Sequence, residues 1–336
     1  MTNGSSSPWL SVLVPVYNAA SYLERCVQAI LADADEGVEV LLCDDCSTDN
    51  SVAVADALVA RFPAQLRLLR HEKNRGPSAA RNTMLDQARG TYFWFVDADD
   101  VLLPGAIPAI RSAIAQHRPD LIGGNYRKGR MPKIGFSGPS DRLLNDRDQI
   151  LSGICLSRKM YAWLKISHRS LWQGGLRFPE GRIFEDATLV PLLALEARSF
   201  IHLRRQLLEY TVHQGSVLSG VIRSPDSFDL ASNLDLAHCF DDFNAALSQL
   251  DEPMPRTRFA ASHFIAMEFA KIVRRIRSAR VEGGQWRDRP ALAQSFRAIT
   301  EAASPLAFED LAGQYPPRGR MISWWKLRRA LAFSRG

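Results

Sequence analysis

Tyr92-Phe93-Trp94-Phe95-Val96 runs straight into Asp97-Ala98-Asp99-Asp100, and this stretch restricts the fold more than any other. An apolar, aromatic-rich run of this length reads as a buried strand. Carboxylates at the end of such a strand must reach solvent, a hydrogen-bond donor or a cation. Asp97 and Asp99 are two residues apart and point the same way if strand geometry persists. Two carboxylates converging from one strand tip suit a hard divalent cation with oxygen ligands.

The residues before this stretch alternate between two patterns. Ser11 to Val16 reads as a first strand entering the loop Tyr17-Asn18-Ala19-Ala20, with Pro15 suited to the strand tip. Ser21 is the expected N-cap of the next helix, and Glu24 completes a capping box. Val38 to Cys43 is a second strand running into Asp44-Asp45-Cys46-Ser47-Thr48-Asp49. A helix carrying Val52, Ala55, Leu58, Val59 and Phe62 follows, then a short strand from Leu66 to Leu69. Asn74-Arg75-Gly76-Pro77 makes a turn, and Ser78 to Ala88 a helix. Strand and helix alternating through short connections predict an α/β fold: a mostly parallel, Rossmann-like sheet flanked by helices. Ligands in such sheets bind beyond the carboxyl ends of the strands. Tyr17-Asn18, Asp44-Asp45, Arg75-Gly76 and Asp97-Asp99 all follow strand exits, so they are expected at one edge. A G-x-G-x-x-G dinucleotide fingerprint is absent after the first strand.

Five short motifs then stand in order: Ser11 to Asn18, Cys43 to Asp49, Asn74-Arg75-Gly76 with Ala80-Arg81-Asn82, Val96 to Asp100, and Gly175 to Gly181 with Phe184-Glu185-Asp186. Together they resemble the family 2 glycosyltransferases, which have the GT-A fold, from about Ser11 to Gly220. Cys46 stands where that family usually has a small residue such as glycine. Because cysteine is also compact, this departure is expected to cost nothing.

The resemblance implies an inverting transfer of a sugar from a nucleotide-diphospho-sugar, UDP-linked by preference, to a hydroxyl of a saccharide or lipid-linked saccharide in cell-envelope glycan synthesis. It implies a Mg²⁺ or Mn²⁺ ion on Asp99, with Asp97 less direct and nearer the ribose. Such an ion acts as a Lewis acid on the leaving diphosphate. The nucleotide-sugar is expected against Pro15, Tyr17, Asn18, Asp44, Asp45, Gly76, Arg81, Asp97, Ala98 and Asp99. Between the two adjacent acids, the resemblance favours Asp45 for the uracil imide, with both kept as candidates. Asp186 matches the general base, and Glu185 is the alternative base or an acceptor contact. His213 is a candidate metal or diphosphate contact. Asp100 is expected to cap the following helix. The bland alternatives are an N-cap role for Asp186, a surface position for Arg81 and turn-shaping by Asp44, Ser47 and Asp49, while Trp163, Lys165 and Trp172 either line a sugar site or serve core packing and surface charge.

Two other functional classes compete. Phe95 to Val101 mimics the D-x-D strand of a haloacid-dehalogenase-like phosphatase, in which the first Asp attacks phosphate. Leu41 to Asp45 mimics the acid cluster of a non-catalytic, nucleotide-binding or signalling domain. A nucleic-acid partner is not expected: the arginines are dispersed and carry no recognition motif.

The organisation expected is a disordered tail over 1–8, a nucleotide-sugar half over 9–125, an acceptor half over 126–220 and a helical extension over 221–336. Residues 126 to 141, rich in Gly, Pro, Lys and Arg, read as a mobile loop or lid. Phe264, Met267, Ala270, Val273 and Ile276 have helical spacing in the extension. Trp324 to Phe333 is a basic amphipathic stretch that either lies on an anionic membrane surface or packs on the domain. The five scattered cysteines, an odd number, predict reduced thiols in a cytoplasmic protein, peripheral on the inner membrane face if that stretch binds lipid. The Cys43-x-x-Cys46 pair lacks the second pair a zinc site needs. The formal charge of +6 permits an anionic partner without choosing one.

Overall fold

The computed structural model describes residues 7–211, 228–279 and 288–335. His213 lies outside them. The chain opens as β1 (Leu10–Val16), α1 (Leu23–Asp33), β2 (Val38–Asp44), α2 (Ser51–Arg61), β3 (Leu66–Arg70), α3 (Pro77–Gln87) and β4 (Tyr92–Phe95). It continues through β5 (Val101–Leu102), α4 (Ala106–His117), β6 (Leu121–Lys128), β7 (Met131–Lys133), β8 (Leu143–Leu144), α5 (Arg147–Ser157), β9 (Lys165–His168), α6 (Glu185–Glu196) and β10 (Phe200–Tyr210). Helices follow: α7 (Leu230–His238), α8 (Asp241–Ser248), α9 (Pro255–Ser278), α10 (Arg289–Ala302), α11 (Phe308–Gln314) and α12 (Met321–Phe333).

One sheet of ten strands orders them β3-β2-β1-β4-β9-β6-β10-β5, with β7 on β6 and β8 on β10. The first four are parallel, so their exits share one edge. β9 then runs antiparallel between β4 and β6. Period-two alternation explains why both faces are covered. Val12, Val14, Leu42 and Trp94 face one apolar core, and Leu13, Leu41, Phe93 and Phe95 face the other. Each such side chain contributes about 1.5–3 kcal/mol of burial. The second core is continuous with the C-terminal helices, where α9 packs against α5, α10 and α12. Phe264, Met267, Val273 and Ile276 are buried on α9 at the expected spacing.

Three local expectations change. No side chain caps α1; Ala19 O accepts the Tyr22 and Leu23 N–H groups instead, at 2.9 Å each, so Ser21 is not its N-cap. Residues 126 to 141 are not a structureless loop. Tyr126 to Lys128 complete β6 and hairpin onto β7, and Phe136 is buried against Phe200, ring centroids 4.8 Å apart. The expected division after residue 125 therefore falls inside β6. No described helix is long and apolar enough to cross a membrane.

Candidate active site

Parallel pairing brings the first two loops together. Pro15 lies beside Cys43 and Val16 beside Asp44. The Asn18 side-chain oxygen accepts the Thr48 N–H at 2.8 Å and the Asp49 N–H at 3.3 Å, and its own N–H donates to Ser47 Oγ at 3.0 Å. Asn18 thus braces the β1 exit against the β2 exit, while Tyr17 is half exposed beside it.

The adjacent acids Asp44 and Asp45 divide their work. Asp44 Oδ2 accepts the Ser47 N–H at 3.2 Å, and Oδ1 is buried without a hydrogen-bond partner among the described residues. Asp45 holds the loop after β3: Oδ1 meets His71 Nδ1 at 2.6 Å and the Arg75 N–H at 2.9 Å, and Oδ2 accepts the Gly76 N–H at 2.7 Å. Gly76 precedes α3 at φ +87°, a conformation that favours glycine. His71 was not singled out by the sequence; its position just past β3 is the only signal for it.

Cys46 has φ +61°. The family's glycine preference at this position is therefore conformational, and compactness does not excuse the departure. A left-handed conformation costs a non-glycine residue about 1 kcal/mol.

β4 neighbours β1, and the Val96 N–H reaches Leu13 O at 3.0 Å, which carries Asp97 to Asp100 to the same edge. Ala98 is buried there. One oxygen from each of Asp97, Asp99 and Asp100 lies within 4.8 Å of the others, the only group of this kind among the described residues. Asp100 is fully buried and does not cap α4, which begins at Ala106. Its Oδ1 accepts the Thr211 N–H at 2.9 Å, while Oδ2 is buried with no hydrogen-bond partner among the described residues. Burial, then the Asp97 and Asp99 charges, push the Asp100 carboxyl up to about 9. Asp97 is raised too, by burial first and by Asp99, against the pull of Arg81. Three crowded carboxylates and a buried unpartnered oxygen fit a hard divalent cation such as Mg²⁺ or Mn²⁺.

Arg81 joins this cluster to the second half of the chain. It is buried on α3 and is not the surface arginine of the bland alternative. Its guanidinium donates to Asp97 at 3.0 Å and Glu185 at 2.6 Å, and lies 3.8 Å from Asp186. Burial alone depresses an arginine, but Asp186, Asp97 and Glu185 outweigh it and hold Arg81 charged. Asp186 sits in the first turn of α6, whose N-cap residue is Phe184, so it is not the cap. Its Oδ2 accepts the Ala162 N–H at 3.1 Å, and Oδ1 has no hydrogen-bond partner among the described residues. Burial lifts the Asp186 carboxyl to about 7; Arg81 opposes the rise, and Glu185 and Asp97 add to it.

Trp163 and Trp172 are core side chains, with Trp172 Nε1 on Ser167 Oγ at 2.9 Å. Lys165 is buried, its ammonium donating to Lys159 O at 3.3 Å, and desolvation brings it down to about 8.

Residues 11–160 match the family model described as glycosyl transferase family 2. That segment belongs to the family. The chain is 26% identical over 266 residues to the glycosyltransferase GlyG of Streptococcus pneumoniae, covering 75% of this chain and 86% of GlyG. It spans 31%, 51% and 64% of the lengths of three further curated relatives. Its fold is that of S. aureus TarS 1-349, with a TM-score of 0.72 at 19% identity over 96% of this chain and 91% of that one. TarS 1-349 also exists in complex with UDP-GlcNAc, TM-score 0.68 at 20% identity over the same shares. The mannosyltransferase PcManGT from Pyrobaculum calidifontis, in complex with GDP-Man and Mn²⁺, aligns with a TM-score of 0.55 at 18% identity over 98% of this chain and 88% of that one. The expected α/β fold with a helical C-terminal region is therefore the observed one.

Proposed function

We propose that this glycosyltransferase is an inverting, metal-dependent enzyme that takes a sugar from a UDP-sugar and attaches it to a hydroxyl of a saccharide or lipid-linked saccharide acceptor, in cell-envelope glycan synthesis. One observation carries the reading: Arg81 draws the donor-strand acid Asp97 and the α6 acids Glu185 and Asp186 around a single guanidinium. Donor and acceptor chemistry then share one point. The UDP-GlcNAc complex of TarS and the GDP-Man and Mn²⁺ complex of PcManGT support a nucleotide-sugar donor and a metal.

In this reading Asp99 and Asp97 hold the cation, with Asp100 behind them. When bound, Mg²⁺ or Mn²⁺ supplies Lewis acidity to the diphosphate oxygens. Asp45 keeps one acceptor lone pair for the uracil imide, since three of a carboxylate's four sites are filled by His71, Arg75 and Gly76. Asp186 takes the acceptor hydroxyl proton as that oxygen attacks the anomeric carbon, whose bond to the diphosphate breaks with inversion. Ala162 fixes one Asp186 oxygen and Arg81 the approach of both acids, which orients the base before the acceptor arrives. The phosphatase alternative loses its basis with the family match, because there Asp97 would have to be a free nucleophile and here it is paired to Arg81.

The exposed end of α12 is the proposed lipid contact. Leu327, Ala330 and Leu331 pack inward, whereas Met321, Ile322 and Trp325 are exposed.

The test is UDP-sugar turnover with Mn²⁺ and with chelator, for the native chain, Asp99→Asn and Asp186→Asn. Chelation is expected to abolish turnover. Asp99→Asn should lower it about 100-fold or more, the scale of lost electrostatic stabilisation at a transition state. Asp186→Asn should lower transfer by about 10²–10⁴, the contribution of a general base, while thermal stabilisation by UDP persists. Full activity in both variants sinks the assignment.

A further inference from the structure

Five cationic side chains from three separate elements cluster about Lys159 and the Tyr126 ring, and one carboxylate answers them. Lys128 and Lys133 come from the β6–β7 hairpin, where Tyr126 pairs with Lys133 and Lys128 with Met131. Arg158 and Lys159 follow α5, and Lys271 comes from α9. Glu268 of α9 is taken by Arg158 and, through both its oxygens at 2.8 Å, by Lys271. Among the described residues no carboxylate pairs with Lys128, Lys133 or Lys159; the nearby Glu209 is bound to Arg127. The Lys159 ammonium instead lies 5.9 Å from the Tyr126 ring centre, and that of Lys128 lies 5.4 Å from Tyr210. Burial lowers the Lys159 pKa, and the charges of Lys133, Arg158, Lys271 and Lys128 lower it further. Unpaired like charges brought together this way repel one another unless an anion joins them.

An aromatic ladder connects this patch to the base. Tyr161 stacks on Trp163 at 4.7 Å and Trp163 on Tyr210 at 5.8 Å. Tyr126 meets the first two edge-on at 6.1 and 5.0 Å. Ala162, between Tyr161 and Trp163, is the residue whose N–H holds Asp186 at 3.1 Å. Ala162 thus links the rings that lie under the cations to the Asp186 carboxylate.

We infer that Lys128, Lys133 and Lys159 form an anion subsite for the acceptor: the saccharide that presents its hydroxyl to Asp186 also carries a phosphate or a carboxylate. This rests on the acceptor reading of Asp186 and narrows it to an anionic substrate class. Lysine donors to an anionic oxygen make charge-assisted hydrogen bonds, stronger than neutral ones.

The experiment titrates glucose, glucose 6-phosphate and glucuronate onto the full chain with UDP and Mn²⁺ saturating, so that the donor's phosphate contacts are already filled. The expected result is that at least one of the two anionic sugars binds ten-fold or more tightly than glucose. That preference should fall at least five-fold in a Lys133→Gln/Lys159→Gln double variant and at high salt, where exposed charges are screened. Lys159→Arg should keep it. Which anion binds better distinguishes a phosphate-bearing from a uronate-bearing acceptor. If the three sugars bind the native chain alike, or if the double variant keeps the native preference, the subsite does not exist. Failure of UDP with Mn²⁺ to stabilise the native chain counts against the donor reading alone, and the same titration without nucleotide then decides the subsite.

Discussion

Arg81 brings one positive charge to three carboxylates and does not serve them equally. Asp97 and Glu185 receive direct hydrogen bonds, whereas Asp186 stands off at 3.8 Å. A buried acid with a distant cation and two nearby anions is held toward its neutral form. This is why Asp186 rises to about 7 while remaining within reach of the charge that keeps it usable as a base. A base must be ionised to accept a proton, so lowering the pH through 7 removes the active form tenfold per unit. Transfer under saturating substrates is expected to climb with unit slope in log rate from pH 5 to about 7 and to level off above. A pH–rate profile measured on the native chain checks this, and a flat line across the range excludes Asp186 as the titrating base. The same shift has the opposite sign for stability. A carboxyl whose native pKa exceeds its unfolded 3.8 withdraws stability as pH rises toward 7, so the burial that raises Asp186 works against the fold that holds it.

The loop after β2 illustrates how an element's preferences depend on partners far away in the chain. Its ends are fixed by Asn18 from the β1 exit and by the bonds Asp45 makes to residues 71 to 76. Between them Cys46 is left at φ +61°, and no property of Cys46 itself reveals that angle. Sequence pattern carried the strands, because alternation of apolar residues is a local property. It carried the order of acidic loops for the same reason. It missed the Cys46 conformation, the start of α1 without a side-chain cap and the last residues of β6, since apolar alternation encodes neither a loop angle, nor a backbone cap, nor a strand pairing. Beyond Asn125, β6 exposes Arg127 and Lys128 progressively, and the apolar signal fades while the ladder continues. Cys46→Gly is therefore expected to stabilise the chain by about 0.5 kcal/mol, what remains of the left-handed penalty once the entropy glycine gains when unfolded is subtracted. The urea midpoint of the variant against the native chain measures it, and an unchanged or lowered midpoint refutes the conformational account.

Across the whole molecule, the early and late strands form one sheet, because β9 slots antiparallel between β4 and β6 and ties residues 165–168 to both. Strand neighbours so distant in sequence leave no local trace, and the four residues of β9 are not recognisable as a strand by themselves. The helical extension is likewise joined to the catalytic part through α9 and α5 within one continuous core. That joining gives α12 its orientation. Arg328 and Arg335 are tied to Glu309, Leu327, Ala330 and Leu331 face inward, and Met321, Ile322 and Trp325 are 53%, 72% and 52% exposed, with Arg329 over the Trp325 ring at 4.4 Å. An apolar tip with basic neighbours, on a chain of net charge +6, matches the boundary of an anionic bilayer. The full chain is expected to sediment with vesicles containing phosphatidylglycerol and to stay in solution with pure phosphatidylcholine. Burying an isoleucine and a tryptophan is worth about 1.5–3 kcal/mol each, and partial insertion of both makes an Ile322→Ser/Trp325→Ala variant bind about ten-fold more weakly. These side chains are exposed, so the variant should keep its melting temperature, which separates lost lipid contact from lost folding. Equal sedimentation of native chain and variant would leave α12 a packed helix with no lipid role.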